Sequence, residues 1–123
     1  MKTVFISGAY TAKSRGEVMR NILAAHHLAA TVLEIGACPI CPHLNFAFME
    51  EVVDVSYQQV LNTCFHLVTK CDAILMIKGW EKSSGASKER LWAKDLNLPI
   101  FYNPNQVKKW LRRENEHQNQ NKK

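Results

Sequence analysis

The feature that most constrains this chain is the alternation of short apolar runs with longer stretches whose apolar residues recur every three or four positions. The short runs, rich in β-branched and aromatic residues, occupy residues 3–7, 37–41, 73–77 and 99–103. A helical pattern follows each of them. The first begins near Glu17 and closes at Gly36, and the last runs from Pro104 to about Arg113. The predicted order is β-α-β-α-β-α-β-α.

This order predicts a parallel sheet with helices on both faces. The run at 73–77, AILMI, is apolar at every position, which is typical of a strand covered on both sides. Parallel strands need right-handed crossovers, and 123 residues make one compact domain. We therefore predict an α/β three-layer sandwich of the flavodoxin or Rossmann kind with four to five parallel strands. It should form a single domain over residues 1–113, followed by a flexible basic and polar tail at 114–123.

Charge and hydropathy exclude several classes of partner. The net charge is +5, but six of the 16 lysines and arginines lie in residues 108–123 and no recognised nucleic-acid motif accompanies them. We therefore expect no nucleic-acid partner. No apolar run approaches the roughly 20 residues that span a bilayer, and the start of the chain lacks a signal-peptide core. We expect no membrane association and a cytoplasmic location.

The segment CPICPH at 38–43 is the one pattern that suggests a metal or a redox pair. A structural zinc site needs four ligands, and a second C-x-x-C pair is absent from the sequence. Strand alternation would also send Cys38 and Cys41 to opposite faces. We expect neither a metal nor a cofactor. His43, just beyond the strand, is the better functional candidate.

Ligands of doubly wound sheets bind at the carboxyl ends of the strands. Three loops of this chain are predicted to meet there, at residues 7–16, 42–51 and 79–87. The polar and glycine-rich residues of the sequence are concentrated in them. We expect a binding site at this edge.

Glu89 stands out because it occupies the apolar stripe of the third long helix, between Ala86 and Ala93. A buried carboxylate is costly unless it is paired or faces a polar pocket. We predict that it points into the cleft at the strand ends. The alternative is a first-turn glutamate favoured by the helix dipole.

The stretch around Glu89 also resembles a known family. Gly85 stands four residues before Glu89, after the strand CDAI at 71–74; a first strand running into Gly8, a helix containing Asn21 and the PICPH segment precede them. Over residues 2 to 103 this set resembles the nucleoside 2-deoxyribosyltransferase-like family. It is similar in particular to a branch of small bacterial and phage proteins related to 2′-deoxynucleoside 5′-phosphate N-hydrolases.

The resemblance implies retaining chemistry at the C1′ atom of a nucleoside, with Glu89 as the nucleophile. His43 is a further catalytic candidate because of its position just beyond the second strand. Six residues before the nucleophile the transferases carry an aspartate and the nucleotide hydrolases a serine. Here that residue is Ser83, which favours a nucleoside 5′-monophosphate as the ligand. The backbone and hydroxyl groups of Ser83, Ser84 and Gly85 would provide an anion site at a helix N-terminus.

Other polar and aromatic residues of the three loops are candidates for binding the substrate. Arg15 is the natural partner for a phosphate and Trp80 for a nucleobase, although each is equally explained as a solvated or packing residue of its loop. The remaining candidates are Ser7, Gly8 and Tyr10.

Two departures from the family pattern keep other functions open. Phe5 stands where relatives commonly have a tyrosine, and Cys64 where they have an aspartate. On its helix Cys64 is also explained as a core residue. A nucleotide-binding module without catalysis is therefore one alternative, and a TIR-like NAD glycohydrolase is another. The family resemblance further implies a homo-oligomer, for which an exposed apolar run at 46–49 would suit the contact.

Overall fold

Four strands alternate with helices along the chain. The computed structural model describes residues 1–121, with side chains as far as residue 120. The strands are β1 (Thr3–Ser7), β2 (Cys38–Ile40), β3 (Ala73–Met76) and β4 (Ile100–Phe101). The helices are α1 (Arg15–Ile35), α2 (Pro42–Asn45), α3 (Tyr57–Thr69), α4 (Ser84–Asp95) and α5 (Pro104–Asn121), with 3-10 turns at Met49–Glu51 and Trp80–Lys82.

The strands form one parallel sheet in the order β2-β1-β3-β4. Val4 of β1 lies beside Pro39 on one side and Ala73 on the other, and Ile74 of β3 lies beside Ile100. The predicted α/β architecture with a four-stranded parallel sheet is confirmed, and it is that of a flavodoxin or Rossmann-like sandwich.

Two cores lie on opposite faces of the sheet. Alternate residues of β1 divide between them, because successive side chains of a strand point to opposite sides. Val4 and Ile6 pack with the apolar stripes of α1 and α5, whereas Phe5 packs with those of α3 and α4. The protein therefore has three layers.

The strand order reverses between β1 and β3. The chain leaves β1 for β2 on one side, and returns to place β3 on the other side of β1. In open α/β sheets the crevice at such a reversal is the usual ligand site. Gly8, which follows β1, lies so close to Ile77, which follows β3, that a Cβ at Gly8 would be 2.5 Å from a side-chain carbon of Ile77. A glycine is required there because the two strand ends nearly touch.

Residues 42–51 are not the irregular loop that the sequence predicts. Pro42 opens α2, where its fixed φ favours a first helical turn, and a 3-10 turn follows at Met49–Glu51. The apolar run at 46–49 is also less exposed than predicted: Phe46 packs against the core beneath α3 and α4, and the Arg15 guanidinium covers the ring of Phe48 at 4.2 Å. The run is therefore only partly exposed, with Ala47 open to solvent, and its role as an oligomer contact stays a prediction.

The last helix is longer than predicted. It continues beyond Arg113 to Asn121, so that most of the predicted tail is helical, while residues 122–123 lie outside the described part. The residues after Arg113 include good helix formers such as Glu114, whose carboxylate also pairs with Lys2 at 3.5 Å. Across residues 1–121 no helix has the length and the apolar character that crossing a membrane requires.

Candidate functional site

Glu89 is the central residue of the site. Ser83 caps α4 by accepting a hydrogen bond from the backbone N–H of Ala86, and the buried residues of the helix are Ala86, Glu89 and Ala93. This is the stripe that the sequence predicts. Glu89 is only 8% exposed and lies beyond the first turn, so the alternative of a solvated first-turn glutamate was wrong.

The Glu89 carboxyl group is held at the end of β1. The hydroxyl of Ser7 donates a 2.6 Å hydrogen bond to Oε1 of Glu89, and Ser7 itself is fully buried. Ser7 closes β1, and the N–H of Ile77 donates to its carbonyl at 2.7 Å. The carboxyl group therefore lies beside the point where the strand order reverses. Ser7, predicted to contact a substrate, has its hydroxyl occupied by Glu89.

Cys64 is the second group beside this carboxyl. It lies on the buried stripe of α3, as predicted for a core residue, and its thiol adjoins the Glu89 carboxyl group closely enough to influence its pKa. Burial, together with the adjoining carboxylate, raises the pKa of Cys64 to about 12. The group therefore remains a thiol near neutral pH.

Burial dominates the electrostatics of Glu89. Removal from water raises its pKa from 4.5 to about 7, and the hydrogen bond from Ser7 and the nearby Cys64 thiol offset only part of that rise. Among residues 1–120 the ion pairs join other groups, Lys2 with Glu114 and Arg15 with Glu51. Near neutral pH the carboxyl group therefore exchanges readily between its acid and its carboxylate, as general acids and bases of active sites do.

His43 lies on α2, 6% exposed, against the loop that follows β1. Its Nε2 is 2.9 Å from the carbonyl oxygen of Ala9, and since a carbonyl only accepts, the proton is on Nε2. Nδ1 is buried and has no hydrogen-bond partner. Burial lowers the pKa of His43 below 6.5. The neutral ring thus carries an unshared lone pair.

Tyr10 fastens the loop after β1 to residues 42–51. Its hydroxyl donates to the carboxylate of Glu50, 2.9 Å away, and accepts from the backbone N–H of Phe48 at 2.8 Å. Burial and the nearby Glu50 carboxylate raise the pKa of Tyr10, so the phenol stays protonated. The amide of Asn21 fixes the backbone of Tyr10 by donating to its carbonyl at 3.0 Å.

Arg15 makes a parallel connection. Its Nε donates to Oε1 of Glu51 at 2.9 Å, and its guanidinium lies over the Phe48 ring. The carboxylate of Glu51 raises the pKa of Arg15 further. Arg15, the predicted partner of a phosphate, is therefore already paired with a carboxylate of the chain itself.

The predicted anion site at the start of α4 is only partly open. The Ser83 hydroxyl caps the helix, whereas Ser84 is exposed. A Cβ at Gly85 would lie 3.5 Å from the hydroxyl of Tyr57, an ordinary contact, so space alone does not require glycine. Trp80 is half-buried against the core beneath α3 and α4, and the guanidinium of Arg90 lies 5.0 Å from its ring centre. The packing explanation of Trp80 accounts for these contacts.

The structure thus brings together Glu89, Ser7 and Gly8 at the reversal of the sheet, and it ties Tyr10, Arg15 and His43 into one contact between two loops. Sequence reasoning missed Glu50 as the partner of Tyr10 and Glu51 as the partner of Arg15. The adjacent acidic pair in a site loop was a signal, but nothing in the sequence tells which hydroxyl or cation it meets.

Two surface grooves lie elsewhere. A groove of about 390 Å³ between α3 and α4 is lined by Asn62, Phe65, Trp92, Asp95 and Leu96, and a second of about 250 Å³ lies beside Lys2 and α5. We assign the site to Glu89 rather than to these grooves because Glu89 is a buried carboxyl group with a raised pKa, bound to Ser7 where the strand order reverses. Within residues 1–121 no three His, Cys, Asp or Glu side chains are grouped as ligands for a metal ion.

Comparison with protein families assigns most of the chain. Residues 2–102 match the family described as Domain of unknown function (DUF4406). The chain belongs to this DUF4406 family. The match contains the whole sheet, Glu89, Ser7 and the two tied loops, and it ends just before α5. A comparison with curated proteins found no match.

Proposed function

We propose that this DUF4406 protein cleaves the N-glycosidic bond of a (deoxy)nucleoside 5′-monophosphate, with Glu89 as the nucleophile, and passes the sugar phosphate to water or to a second base. The observation that carries the proposal is the buried Glu89 carboxyl group, held by Ser7 where the strand order reverses. The resemblance of the surrounding residues to nucleoside 2-deoxyribosyltransferase-like proteins supplies the reaction class and the substrate.

The reaction proceeds in two displacements. A Glu89 oxygen bonds to C1′ as the bond from C1′ to the base nitrogen breaks, and the base leaves with that electron pair and takes up a proton. Water, or a second base, then attacks C1′, the ester bond to Glu89 breaks and the carboxylate is restored. With water the products are the free base and a sugar 5-phosphate. With a second base the product is a new nucleotide.

The surroundings of Glu89 support a nucleophile that is ionised for part of the time. With a pKa of about 7, Glu89 titrates near neutral pH, so the carboxylate form is accessible there. The Ser7 hydroxyl donates to this group and holds its position. Ser7 is thus a positioning residue in this proposal. His43 is the further catalytic candidate in this proposal: its proton is on Nε2, so the buried and unpartnered Nδ1 is the ring nitrogen that would accept a proton.

A nucleotide-binding module is the second candidate, and specific observations favour it. Glu89 is only 8% exposed, and Phe5, which lacks a hydroxyl, is fully buried. The thiol of Cys64, with a pKa of about 12, does not supply a proton near pH 7 as a carboxyl group would. In this alternative the pocket binds the nucleotide and Glu89 is a structural, hydrogen-bonded acid.

The test is free-base release, followed by chromatography, from a panel of nucleosides, nucleoside 5′-monophosphates and NAD. The wild type is compared with Glu89→Ala, Glu89→Gln and, as a matched control on the same helix, Asp95→Asn. We expect release from one class of monophosphate, a loss of at least about 1,000-fold in both Glu89 variants, and near wild-type rates for the control.

Other outcomes separate the candidates. Monophosphates that raise the melting temperature of every variant without base release would establish the binding module instead. Release of nicotinamide from NAD alone would establish a NAD glycohydrolase. Equal rates in the wild type and the Glu89 variants would remove Glu89 from the chemistry.

The proposal includes a cytoplasmic enzyme that assembles as a homo-oligomer with a small-molecule nucleotide as its ligand. Two apolar side chains, Phe65 of α3 and Leu96 just after α4, are more than two-fifths exposed and offer a surface for such contacts. Light scattering should give a mass of at least twice 14.1 kDa. A single 14.1 kDa species would contradict the oligomer.

A further inference from the structure

Two residues predicted to bind the substrate, Tyr10 and Arg15, are both bound to carboxylates of the chain itself. Glu50 accepts from the Tyr10 hydroxyl at 2.9 Å, and Glu51 accepts from Arg15 Nε at 2.9 Å. Glu50 and Glu51 are adjacent in the 3-10 turn at Met49–Glu51. One short turn therefore presents two negative groups to the loop that follows β1.

A phosphate monoester has the same requirements as these carboxylates. It is anionic, it accepts hydrogen bonds from a phenol, and its oxygens suit the planar fork of a guanidinium. Groups that hold Glu51 in the free protein are thus equipped to hold a phosphate in its place. A neutral nucleoside has no phosphate group and does not compete with Glu51 for Arg15.

The internal contact is built to be displaced. Both partners of the ion pair are solvated, with 65% of the Arg15 side chain and 49% of the Glu51 side chain exposed, and exposed pairs contribute little to stability. Phe48, which leads into the turn, has a φ of 52°, a conformation that is strained for a bulky residue and persists only where its surroundings enforce it. The hydrogen bond from its N–H to Tyr10 and the Arg15 guanidinium over its ring are those surroundings.

We propose that the carboxylate of Glu51, aided by Glu50, is an internal competitor that occupies Arg15 until the phosphate of a nucleoside 5′-monophosphate displaces it. The identity of the ligand rests on the proposed function, whereas the competition rests on the contacts themselves. Residues 46–51 act as a strap that a phosphorylated ligand releases and an unphosphorylated one leaves in place.

The experiment measures binding rather than turnover. Isothermal titration with a nucleoside 5′-monophosphate, the matching nucleoside and inorganic phosphate is performed on the wild type, Glu51→Gln, Arg15→Gln and the double variant. We expect Glu51→Gln to tighten monophosphate binding by about threefold to tenfold, leave the nucleoside unchanged, and give no gain once Arg15 is absent. Glu34→Gln, an exposed carboxylate on α1, is the control for net charge.

Each other result overturns the inference. An equal gain in Glu51→Gln and Glu34→Gln would mean a general charge effect, and a gain that survives Arg15→Gln would mean that Arg15 is not the contested group. Unchanged or weaker monophosphate binding in Glu51→Gln would show that Glu51 does not compete, and so would the absence of monophosphate binding in every variant. Base release is measured separately. A selective gain in affinity without base release would support the competition by Glu51 and refute the proposed enzyme activity. Base release with unchanged affinity would support the enzyme activity and refute the competition.

Discussion

The Ser7 hydroxyl lies 2.6 Å from Oε1 of Glu89 and joins the end of β1 to α4 across the buried layer beneath α3 and α4. The contact places an acid in a position that a globular core would normally give to an apolar side chain. Retention of a carboxyl group there has a cost that depends on pH. Stability measurements therefore report on the site without any assumption about a substrate.

Glu89→Gln should be more stable than the wild type above neutral pH and similar to it near pH 4.5. The pKa of Glu89 is raised from 4.5 to about 7, so the folded protein retains a proton that the unfolded chain loses between those values. Wild-type stability therefore falls as the pH rises through this window, by on the order of 3 kcal/mol in total. Glutamine does not titrate, and its carbonyl still accepts from Ser7.

Urea unfolding from pH 4.5 to 8.5 measures this difference. The stability of Glu89→Gln minus that of the wild type should grow across the range and level off above about pH 7. Asp95→Asn, which removes an exposed charge from the same helix, serves as the control. A difference that does not vary with pH would mean that Glu89 is not a buried, titrating acid.

Cys64 and Cys71 should resist alkylation in the folded protein. Burial raises the pKa of each to about 12, so at pH 8 only about one thiol in ten thousand is ionised. Iodoacetamide labelling followed by mass spectrometry should modify the half-buried Cys38 and Cys41 first. Labelling in urea should modify all four. Rapid modification of Cys64 in the native state would contradict its place beside Glu89.

Gly8→Ala should destabilise the protein by about 1–3 kcal/mol, because the new Cβ would lie 2.5 to 2.9 Å from side-chain carbons of Ile77. Gly16→Ala is the matched control: in the first turn of α1 the nearest atom to its Cβ is Ser14 Oγ at 4.0 Å, and alanine favours the helix. Thermal unfolding should give a lower Tm for Gly8→Ala than for the wild type, and an unchanged or higher Tm for Gly16→Ala. Equal Tm values would refute the close approach of β1 and β3.

The sequence predicts the fold well because its signals are local. The buried stripe of α1 and the left-handed Gly36 that closes it follow from spacing and from the freedom of glycine. Glu89 was found by the same means, as a carboxylate on an apolar stripe. Its hydroxyl partner Ser7 is 82 residues away, and no periodicity links the two.

The tie between the two loops is harder to foresee. The cation that Glu51 contacts depends on the backbone path of residues 42–51. That path requires a left-handed conformation at Phe48, which bulky residues rarely adopt. The extent of α5 was underestimated for another reason. Polar helix formers after Arg113 carry no amphipathic pattern, so a solvated helix and a frayed tail look alike in sequence.

His43 should lose its hold on the loop after β1 when the pH falls. Its pKa is lowered by burial, so the folded state excludes a proton that the unfolded chain accepts below about pH 6.5. Stability contributed by the neutral ring is thus complete above that pH and is lost below it.

His43→Gln does not titrate, and its side-chain amide can take over the donation from Nε2 to Ala9. Between pH 7.5 and 5 the wild type should therefore lose stability relative to His43→Gln, whereas the exposed His26→Gln should follow the wild type. Nitrogen NMR of the imidazole at pH 7 should report the Nε2–H tautomer. A protonated ring at that pH, or parallel stability curves for all three proteins, would remove His43 from the contact with Ala9 as a buried neutral group.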